Sequence, residues 1–135
     1  MLEISSAALQ QIVGDAAAHP ARERCGLLFG TAGRVSGVSL CANVAADPTR
    51  TFEIDPAALF AALRAERAGG ATLVGYWHSH PSGDVRPSTT DAAMAVPDGK
   101  LWLIVSGDAI GVWRAGNQAG AVRFTAIAYQ VGEGA

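Results

Sequence analysis

Apolar residues near the N-terminus repeat with the spacing of a helix. Leu9, Ile12, Val13 and Ala16 occupy positions i, i+3, i+4 and i+7, and Pro20 closes the segment. One face of such a helix is apolar along its whole length, so it requires a surface to pack against. The spacing predicts an amphipathic helix of about four turns that covers a sheet.

Short apolar runs bounded by turn residues predict the strands of that sheet. The run from Cys25 to Phe29 is apolar without alternation, which is typical of a strand buried on both faces. The predicted strands are 25–29, 35–41, 72–78, 101–105, 109–114 and 121–128, with a further short strand at 52–54. A turn at 31–34 makes a hairpin of the first two, and turns at 106–108 and 116–120 join the last three.

Two further helices are predicted from capping residues. Residues 55–56, Asp-Pro, supply an N-cap and a proline at the first helical position. Leu59, Phe60 and Leu63 form the predicted buried side of this helix. A third and shorter helix is expected within residues 88–97, which begin with serine and end with proline.

The order of these elements is helix, hairpin, helix, strand, helix and a three-strand meander. This mixed order predicts an α+β or α/β sandwich, in which about three helices pack on a mixed, curved sheet. No internal repeat, low-complexity run or linker interrupts the chain. We therefore expect a single domain over residues 1–135.

The composition narrows the possible functions. Of the 135 residues, 50% are apolar and 16% are charged, which is typical of a folded domain. The formal net charge of −2 provides no basic footprint, so neither nucleic acid nor an anionic membrane is an expected partner. No apolar run is long enough to span a membrane, and the N-terminus lacks the basic start of a signal peptide. These observations predict a cytoplasmic protein.

The two cysteines, Cys25 and Cys41, are too few for a disulfide framework. A reducing compartment would keep both as thiols. Because Cys25 lies inside an apolar run, we expect it to be a buried small hydrophobe rather than a residue that binds a metal or substrate.

The segment from residue 75 to residue 91 carries the residues with the clearest chemistry. His78 and His80 are separated by one residue, so on a strand both imidazoles project from the same face. Turn residues follow, and Asp91 can return to the same point from a helix. Two imidazoles and a carboxylate are the three protein ligands of a catalytic zinc site with one position open to water. The segment therefore predicts a metal centre.

Each of these residues also has a purely structural interpretation. His78 and His80 could be polar residues that face solvent at the end of a strand. The segment from Ser88 to Asp91 resembles a capping box, in which the serine caps a helix and the aspartate lies near its positive end. It is the combination of the three potential ligands that favours a metal site.

A hydrolase with such a site also needs a general base near the attacking water but off the metal. From the residues alone, Glu23, Glu53, Asp55 and Asp84 are all candidates, and Glu23 could equally be an exposed acid at the end of a strand. Ser88 could cap a helix and also donate its hydroxyl proton to a developing oxyanion.

The spacing of these residues resembles a known signature. After His78-Ser-His80, seven residues precede Ser88 and two more precede Asp91. This matches H-x-H, seven residues, S, two residues, D, which is the signature of the JAMM, or MPN-plus, zinc metalloprotease family.

Other parts of the chain strengthen this resemblance. Residues 23–30, Glu-Arg-Cys-Gly-Leu-Leu-Phe-Gly, resemble the first core strand of the family with its upstream glutamate. The likeness extends to Asn43, to Phe-Glu-Ile-Asp-Pro at 52–56 and to Gly-Tyr-Trp-His at 75–78, so it covers roughly residues 5 to 130.

The resemblance implies a role for each residue of the signature. His78, His80 and Asp91 would ligate one zinc ion per chain. Glu23 would be the general base that moves a proton from water to the leaving amine, and Ser88 would stabilise the oxyanion. The family's fold, a cytidine-deaminase-like α/β sandwich, would then be the fold of this chain.

The resemblance also implies a substrate class. Compact prokaryotic members of the family act on small ubiquitin-like sulfur carriers that end in Gly-Gly, and this chain resembles them because the segments 81–87 and 91–101 beside the site are short. A zinc-dependent peptidase or isopeptidase that cleaves the amide after such a tail is therefore implied. Two alternatives remain open: a zinc hydrolase of a small amide unrelated to ubiquitin-like proteins, and a non-catalytic MPN binding module.

Overall fold

Eight strands and three helices make up the part of the chain that the structure, a computed structural model, describes, which is residues 1–133. Residues 134 and 135 of the predicted domain lie outside this part. In chain order the elements are β1 (Leu2–Ser5), α1 (Ser6–Ala18), β2 (Cys25–Thr31), β3 (Arg34–Cys41), α2 (Pro56–Arg67), β4 (Thr72–Ser79), α3 (Thr89–Met94), β5 (Leu101–Ser106), β6 (Ala109–Gln118), β7 (Ala121–Ala126) and β8 (Tyr129–Gly132).

All of these strands belong to one mixed sheet with the order β7-β6-β5-β4-β2-β3-β1-β8. β4 pairs in parallel with β5, and β1 pairs in parallel with β3 and β8, whereas the other neighbours are antiparallel. The register of β2 shifts on either side of Phe29, once against each neighbour. Irregularities of this kind bend a strand and increase its twist. The prediction of a mixed, curved sheet is confirmed.

Helices cover both faces of this sheet. On one face, Ile12 of α1 packs into a core that includes Trp77 of β4. On the other face, α2 packs through Leu59 and Leu63. Since successive side chains of a strand point to opposite faces, His78 faces the layer that contains α2. The sandwich predicted from the order of elements is confirmed.

The two longer helices begin where their capping residues predict. The Ser5 side chain accepts a hydrogen bond from the Ala8 N–H at 3.3 Å, and the Asp55 carboxylate accepts one from the Ala57 N–H at 3.0 Å. Pro56 is the first helical residue of α2. No helix in residues 1–133 is both long enough and apolar enough to cross a membrane.

The centre of the sheet depends on a glycine. The Trp77 indole passes over β2 at Gly26 and donates a hydrogen bond to the Ser39 carbonyl of β3, with Nε1 and O 3.0 Å apart. A Cβ atom at Gly26 would lie far inside van der Waals contact with both the Ser39 oxygen and the Trp77 nitrogen. Only glycine therefore lets the indole bridge from β4 to β3.

The expectation that Phe60 belongs to the buried side of α2 is wrong. Its side chain is 61% exposed, and none of the residues of α2 is fully buried. α2 rests on the sheet through one narrow stripe that includes Leu59 and Leu63, and Phe60 lies to the side of that stripe.

The boundaries of several strands also differ from the prediction. β6 continues through Gln118, because Asn117 and Gln118 still pair with β7, so the turn shortens to residues 119–120. Residues 52–54 do not form a strand and contribute a single bridge, from Ile54 to Asn43. The short terminal strands β1 and β8 were not predicted at all.

Candidate metal centre and active site

The end of β4 carries the two histidines of the predicted centre. His78 is the next-to-last residue of this strand, and His80 follows its end. Their Nε2 atoms lie 3.0 Å apart. Both side chains are buried, and that of His78 has no exposed surface. The two imidazoles therefore converge on one point, as the spacing predicts.

Asp91 reaches the same point from the first turn of α3. Its Oδ2 atom lies 3.1 Å from His78 Nε2 and 3.0 Å from His80 Nε2. The carboxylate is held there by a capping box, in which Asp91 Oδ2 accepts from the Ser88 N–H at 2.9 Å and Ser88 Oγ accepts from the Asp91 N–H at 3.0 Å. The structural interpretation of this motif and the metal interpretation thus describe the same side chains.

These three atoms form a nearly equilateral triangle with sides of 3.0 to 3.1 Å. A single proton on one nitrogen can bridge one side of such a triangle but not all three. Zn²⁺ with ligand bonds of 2.0 to 2.1 Å separates neighbouring tetrahedral ligands by about 3.3 Å. The triangle fits a small divalent cation with one open position, and the donor set of two imidazoles and a carboxylate suits zinc.

Neighbouring groups orient both rings. His80 donates through Nδ1 to the Asp84 carbonyl at 2.6 Å, which leaves its Nε2 lone pair free for a metal. Phe52 stacks on the His78 ring with centroids 4.2 Å apart and planes at 21°. The buried Nδ1 atom of His78 has no hydrogen-bond partner within residues 1–133, so this side of the ring is held by packing.

The electrostatics of the cluster favour an ionised Asp91. Burial raises its pKa, but hydrogen bonds with His78 and His80 outweigh burial and hold the pKa well below its usual range. Burial lowers the pKa of His78. Burial also works against protonation of His80, but its bonds with Asp91 and the Asp84 carbonyl prevail and raise its pKa. A buried carboxylate of this kind requires positive charge beside it.

Glu23 completes the cluster. One ligand atom from each of Glu23, His78, His80 and Asp91 lies within 4.8 Å of the others. The side chain of Glu23 is buried, and its Oε1 atom has no hydrogen-bond partner within residues 1–133. Burial is the main reason that the Glu23 pKa rises to about 7. The carboxylate thus lies beside the triangle with a free oxygen and with the proton affinity of a neutral-pH base.

Glu23 lies two residues before β2, at the entrance of the strand predicted at 25–29. Its N–H donates to the Pro48 carbonyl at 2.7 Å, and its carbonyl accepts from Asn43 Nδ2 at 2.8 Å. The next residue, Arg24, exchanges hydrogen bonds with Ser79 of β4. Glu23 is therefore held by the loop of residues 43–51, here called the Asn43 loop.

The other acids considered as a base are not in the cluster. Glu53 is exposed. The Asp55 carboxylate caps α2, and Asp84 is paired with Arg86 in its own turn. Among these candidates, Glu23 is the acid that the structure brings to the histidines.

An open pocket of about 430 Å³ gives access to the cluster. Its lining includes Glu23, His80 and Ser88, together with Thr49 and Arg50 of the Asn43 loop. The bond from the Asp91 N–H uses one acceptor lone pair of the Ser88 hydroxyl and leaves its proton available to a ligand in the pocket.

Cys25 is buried and packs in an apolar cluster with Phe52 and Trp102, so the prediction of a core residue is confirmed. Burial raises the pKa of its thiol to about 12. In the β2–β4 register it lies opposite His78, yet it is not part of the acid and histidine cluster.

Two residues that serve this site were not identified from the sequence. Phe52, which stacks on His78, was assigned to a short strand and to the resemblance, without a role at the site. Asn43 was noted only as part of a resemblance, and nothing local signals that its amide would bind Glu23. Both contacts join segments that are distant in the chain.

Comparison with known proteins identifies related sequences. The sequence matches the family described as prokaryotic homologs of the JAB domain over residues 5–122. A desampylase from Haloferax volcanii is 40% identical over 95 residues, which are 69% of this chain and 68% of that protein.

Solved structures share the fold. A protein from Desulfitobacterium hafniense superposes with a TM-score of 0.79 at 24% identity, over 99% of this chain and 94% of that chain. A JAB1/MPN domain protein from Archaeoglobus fulgidus superposes with a TM-score of 0.58 at 24% identity, over 98% of each chain. The predicted α/β sandwich, a mixed curved sheet with three helices, is confirmed as the fold of JAB/MPN proteins.

The match of the family model and the identity to the desampylase confirm the prediction of a JAMM-type enzyme, a metal-dependent peptidase or isopeptidase. The geometry agrees, since a cation-sized triangle of donors lies beside a buried carboxylate. The chain belongs to the family of prokaryotic JAB-domain proteins.

Proposed function

We propose that this protein hydrolyses the amide bond that follows the Gly-Gly tail of a small ubiquitin-like carrier protein, with one zinc ion per chain. The observation that carries the proposal is the convergence of His78, His80, Asp91 and Glu23 within 4.8 Å. The substrate class is supported by the 40% identity to a desampylase and by the resemblance to compact prokaryotic JAMM enzymes.

His78, His80 and Asp91 would hold the zinc ion through the three atoms of the triangle. When bound, zinc polarises the amide carbonyl and lowers the pKa of water toward roughly 7. The proton transfers are carried out by a side chain of the protein. The free Oε1 atom of Glu23 accepts a proton from the attacking water, and the same carboxyl group then delivers it to the leaving amine.

Ser88 would stabilise the charge that develops on the carbonyl oxygen. Its Oγ atom is fixed by the hydrogen bond from the Asp91 N–H, so the hydroxyl proton can point into the pocket without reorganisation. A single preorganised donor of this kind contributes about 100- to 1000-fold to turnover. The capping bond and the donated bond use different parts of the same hydroxyl group.

A groove of about 260 Å³ provides room for an extended tail next to the site. Phe52, which packs on His78, forms part of its wall, together with Tyr76 and Trp102. An extended peptide binds such a groove through its main chain, and glycine residues allow that chain to approach the wall closely. We place the tail of the carrier in this groove.

Metal analysis and an adduct assay test the proposal together. Purified protein should contain about one zinc ion per chain and should release a C-terminal extension from a carrier that ends in Gly-Gly. Zinc-free protein would exclude the metalloenzyme. Zinc-loaded protein that cleaves small amides but no carrier adduct would favour the alternative zinc hydrolase. Zinc-loaded protein that binds carriers without cleaving anything would indicate a binding module.

A further inference from the structure

Asn43 occupies the position opposite Glu23 at the point where the β2–β3 ladder ends. The last pair of this ladder is Cys25 with Cys41. Two residues beyond this pair on each chain segment lie Glu23 and Asn43. The backbone pairing does not continue there, and the Asn43 side chain makes the connection instead, with Nδ2 donating to the Glu23 carbonyl at 2.8 Å.

The amide of Asn43 is fully used. Nδ2 also donates to the Thr51 carbonyl at 3.0 Å. Oδ1 accepts from the N–H groups of Ala45 and Glu53, each at 3.0 Å. An amide side chain offers two donors and two acceptor positions, so no capacity remains. The two carbonyls face Nδ2 and the two N–H groups face Oδ1, which leaves one orientation for this amide.

These bonds close the Asn43 loop on itself and attach it to Glu23. Thr51, at the end of the loop, and Glu53, two residues beyond it, are both bonded to Asn43 at the beginning of the loop. Between them, the Pro48 carbonyl accepts from the Glu23 N–H at 2.7 Å. Both backbone polar groups of Glu23 are therefore bound by this one loop, whereas its Oε1 atom has no partner within residues 1–133. The hydrogen bonds that hold Glu23 to this loop therefore run to its backbone, from which the carboxylate projects.

We propose that Asn43 is a positioning residue that fixes the Glu23 carboxylate relative to His78 and His80 by holding the Glu23 backbone against the Asn43 loop. The inference rests on the proposed role of Glu23 as the base. A displacement of about 1 Å in a reacting group can reduce turnover by about 100-fold. Asn43 does not line the groove proposed for the tail of the carrier, so we expect the effect mainly in kcat.

The variant Asn43→Asp separates this role from simple loop stability. It keeps both acceptor bonds and the shape of the side chain, but it cannot donate to the Glu23 and Thr51 carbonyls. Asp47→Ala is the matched control, because Asp47 lies in the same loop and its side chain binds Thr49, at 2.6 and 3.2 Å, and pairs with exposed Arg50 at 3.8 Å, but makes no bond to Glu23. If Asn43→Asp does not fold, Asn43→Ser, which retains a hydroxyl, takes its place.

We expect Asn43→Asp to retain zinc and to lose at least about 10-fold in kcat with little change in KM. Asp47→Ala should retain its zinc and its kcat. In a Glu23→Gln background, Asn43→Asp should cause no further loss, because the group that it positions is already gone. Equal losses in the two loop variants, or an undiminished loss in the Glu23→Gln background, would overturn the inference.

Crystal structures of the zinc-loaded variants provide a readout that does not depend on substrate. The Glu23 carboxylate should move by about 1 Å or more from the histidines in Asn43→Asp and stay in place in Asp47→Ala. An unmoved Glu23 in Asn43→Asp refutes the positioning role. A moved Glu23 in a protein that does not cleave carrier adducts supports the positioning role and counts against the proposed substrate.

Discussion

Ser88 and Asp91 hold each other in place through two hydrogen bonds, of 2.9 and 3.0 Å, that run between the backbone of each residue and the side chain of the other. The same Asp91 oxygen that accepts the Ser88 N–H faces both histidines. One pair of residues thus begins α3, presents a carboxylate to the metal position and places a hydroxyl at the pocket.

The two functions of Ser88 can be separated by substitution. Glycine is tolerated at an N-cap with a loss of only a few tenths of a kcal/mol, but it has no hydroxyl. We expect Ser88→Gly to retain zinc and its unfolding midpoint while kcat falls by about 100- to 1000-fold. Ser88→Thr, which keeps the hydroxyl, is the control. A Ser88→Gly variant with wild-type kcat would exclude Ser88 as an oxyanion donor.

Replacement of Glu23 should separate metal binding from turnover. Glu23→Gln retains the shape of the side chain but cannot take a proton, so we expect a normal zinc content and a loss of at least about 100-fold in kcat. His78→Ala and Asp91→Ala should lose zinc as well as activity, because each removes one corner of the triangle. Exposed Asp108, in the turn between β5 and β6, provides the control substitution, Asp108→Asn. Wild-type turnover in Glu23→Gln would mean that another group is the base.

The rate should fall when the pH decreases below neutral. Burial raises the pKa of Glu23 to about 7, and a carboxyl group acts as a base only when it is ionised. A bound cation beside it favours the ionised form, so the midpoint of the acid limb should lie at or below pH 7. Protonation of the imidazoles at lower pH also competes with zinc.

This pH profile requires the zinc content to be measured at each pH, so that loss of metal is distinguished from protonation of Glu23. At constant zinc content, the wild-type rate should still fall with decreasing pH because Glu23 becomes protonated. The residual activity of Glu23→Gln should not show this fall. A rate that is flat from about pH 5 to pH 8 would contradict the assignment.

Substitution of Gly26 should destabilise the sheet without touching the site directly. A Cβ atom there collides with the Ser39 carbonyl and the Trp77 indole, so the hydrogen bond from β4 to β3 cannot form in its present geometry. We expect Gly26→Ala to lower the free energy of unfolding by at least about 2 kcal/mol in urea denaturation. A Cβ atom added at Gly37 in β3 would meet nothing within 4 Å, so Gly37→Ala should leave the free energy of unfolding nearly unchanged. Equal stabilities of the two variants would refute this account.

Local signals in the sequence are sufficient for most of the fold and for the convergence of the ligands. The spacing of His78 and His80 implies a common face, and caps and apolar runs define α1, α2 and the central strands. β1 and β8 are four residues each and pair with partners far away in the chain, so no local hydrophobic periodicity predicts them. Short strands that exist because of distant neighbours are invisible to pattern analysis.

The support of the site is less predictable than its ligands, for the same physical reason. In the sequence, Asn43 is an ordinary loop asparagine. Its hydrogen bonds with Glu23 and Glu53 form only in the folded chain, where these segments lie side by side. Phe52 becomes a contact of His78 only after the segment before α2 packs on β4. The pKa of Glu23 likewise depends on burial, which composition cannot reveal.

The shortness of α3 has a consequence for metal affinity. A helix of six residues is too short to persist on its own, and it exists here because Ser88 caps it and Asp91 is held by the two imidazoles. Release of the cation leaves a buried carboxylate that no longer has positive charge at its side, so the segment opens more readily to solvent. Release of the cation and local unfolding of α3 are then coupled in one equilibrium. The amide of Ala95, bonded to the Asp91 carbonyl, should therefore exchange its hydrogen slowly only in the zinc-loaded protein.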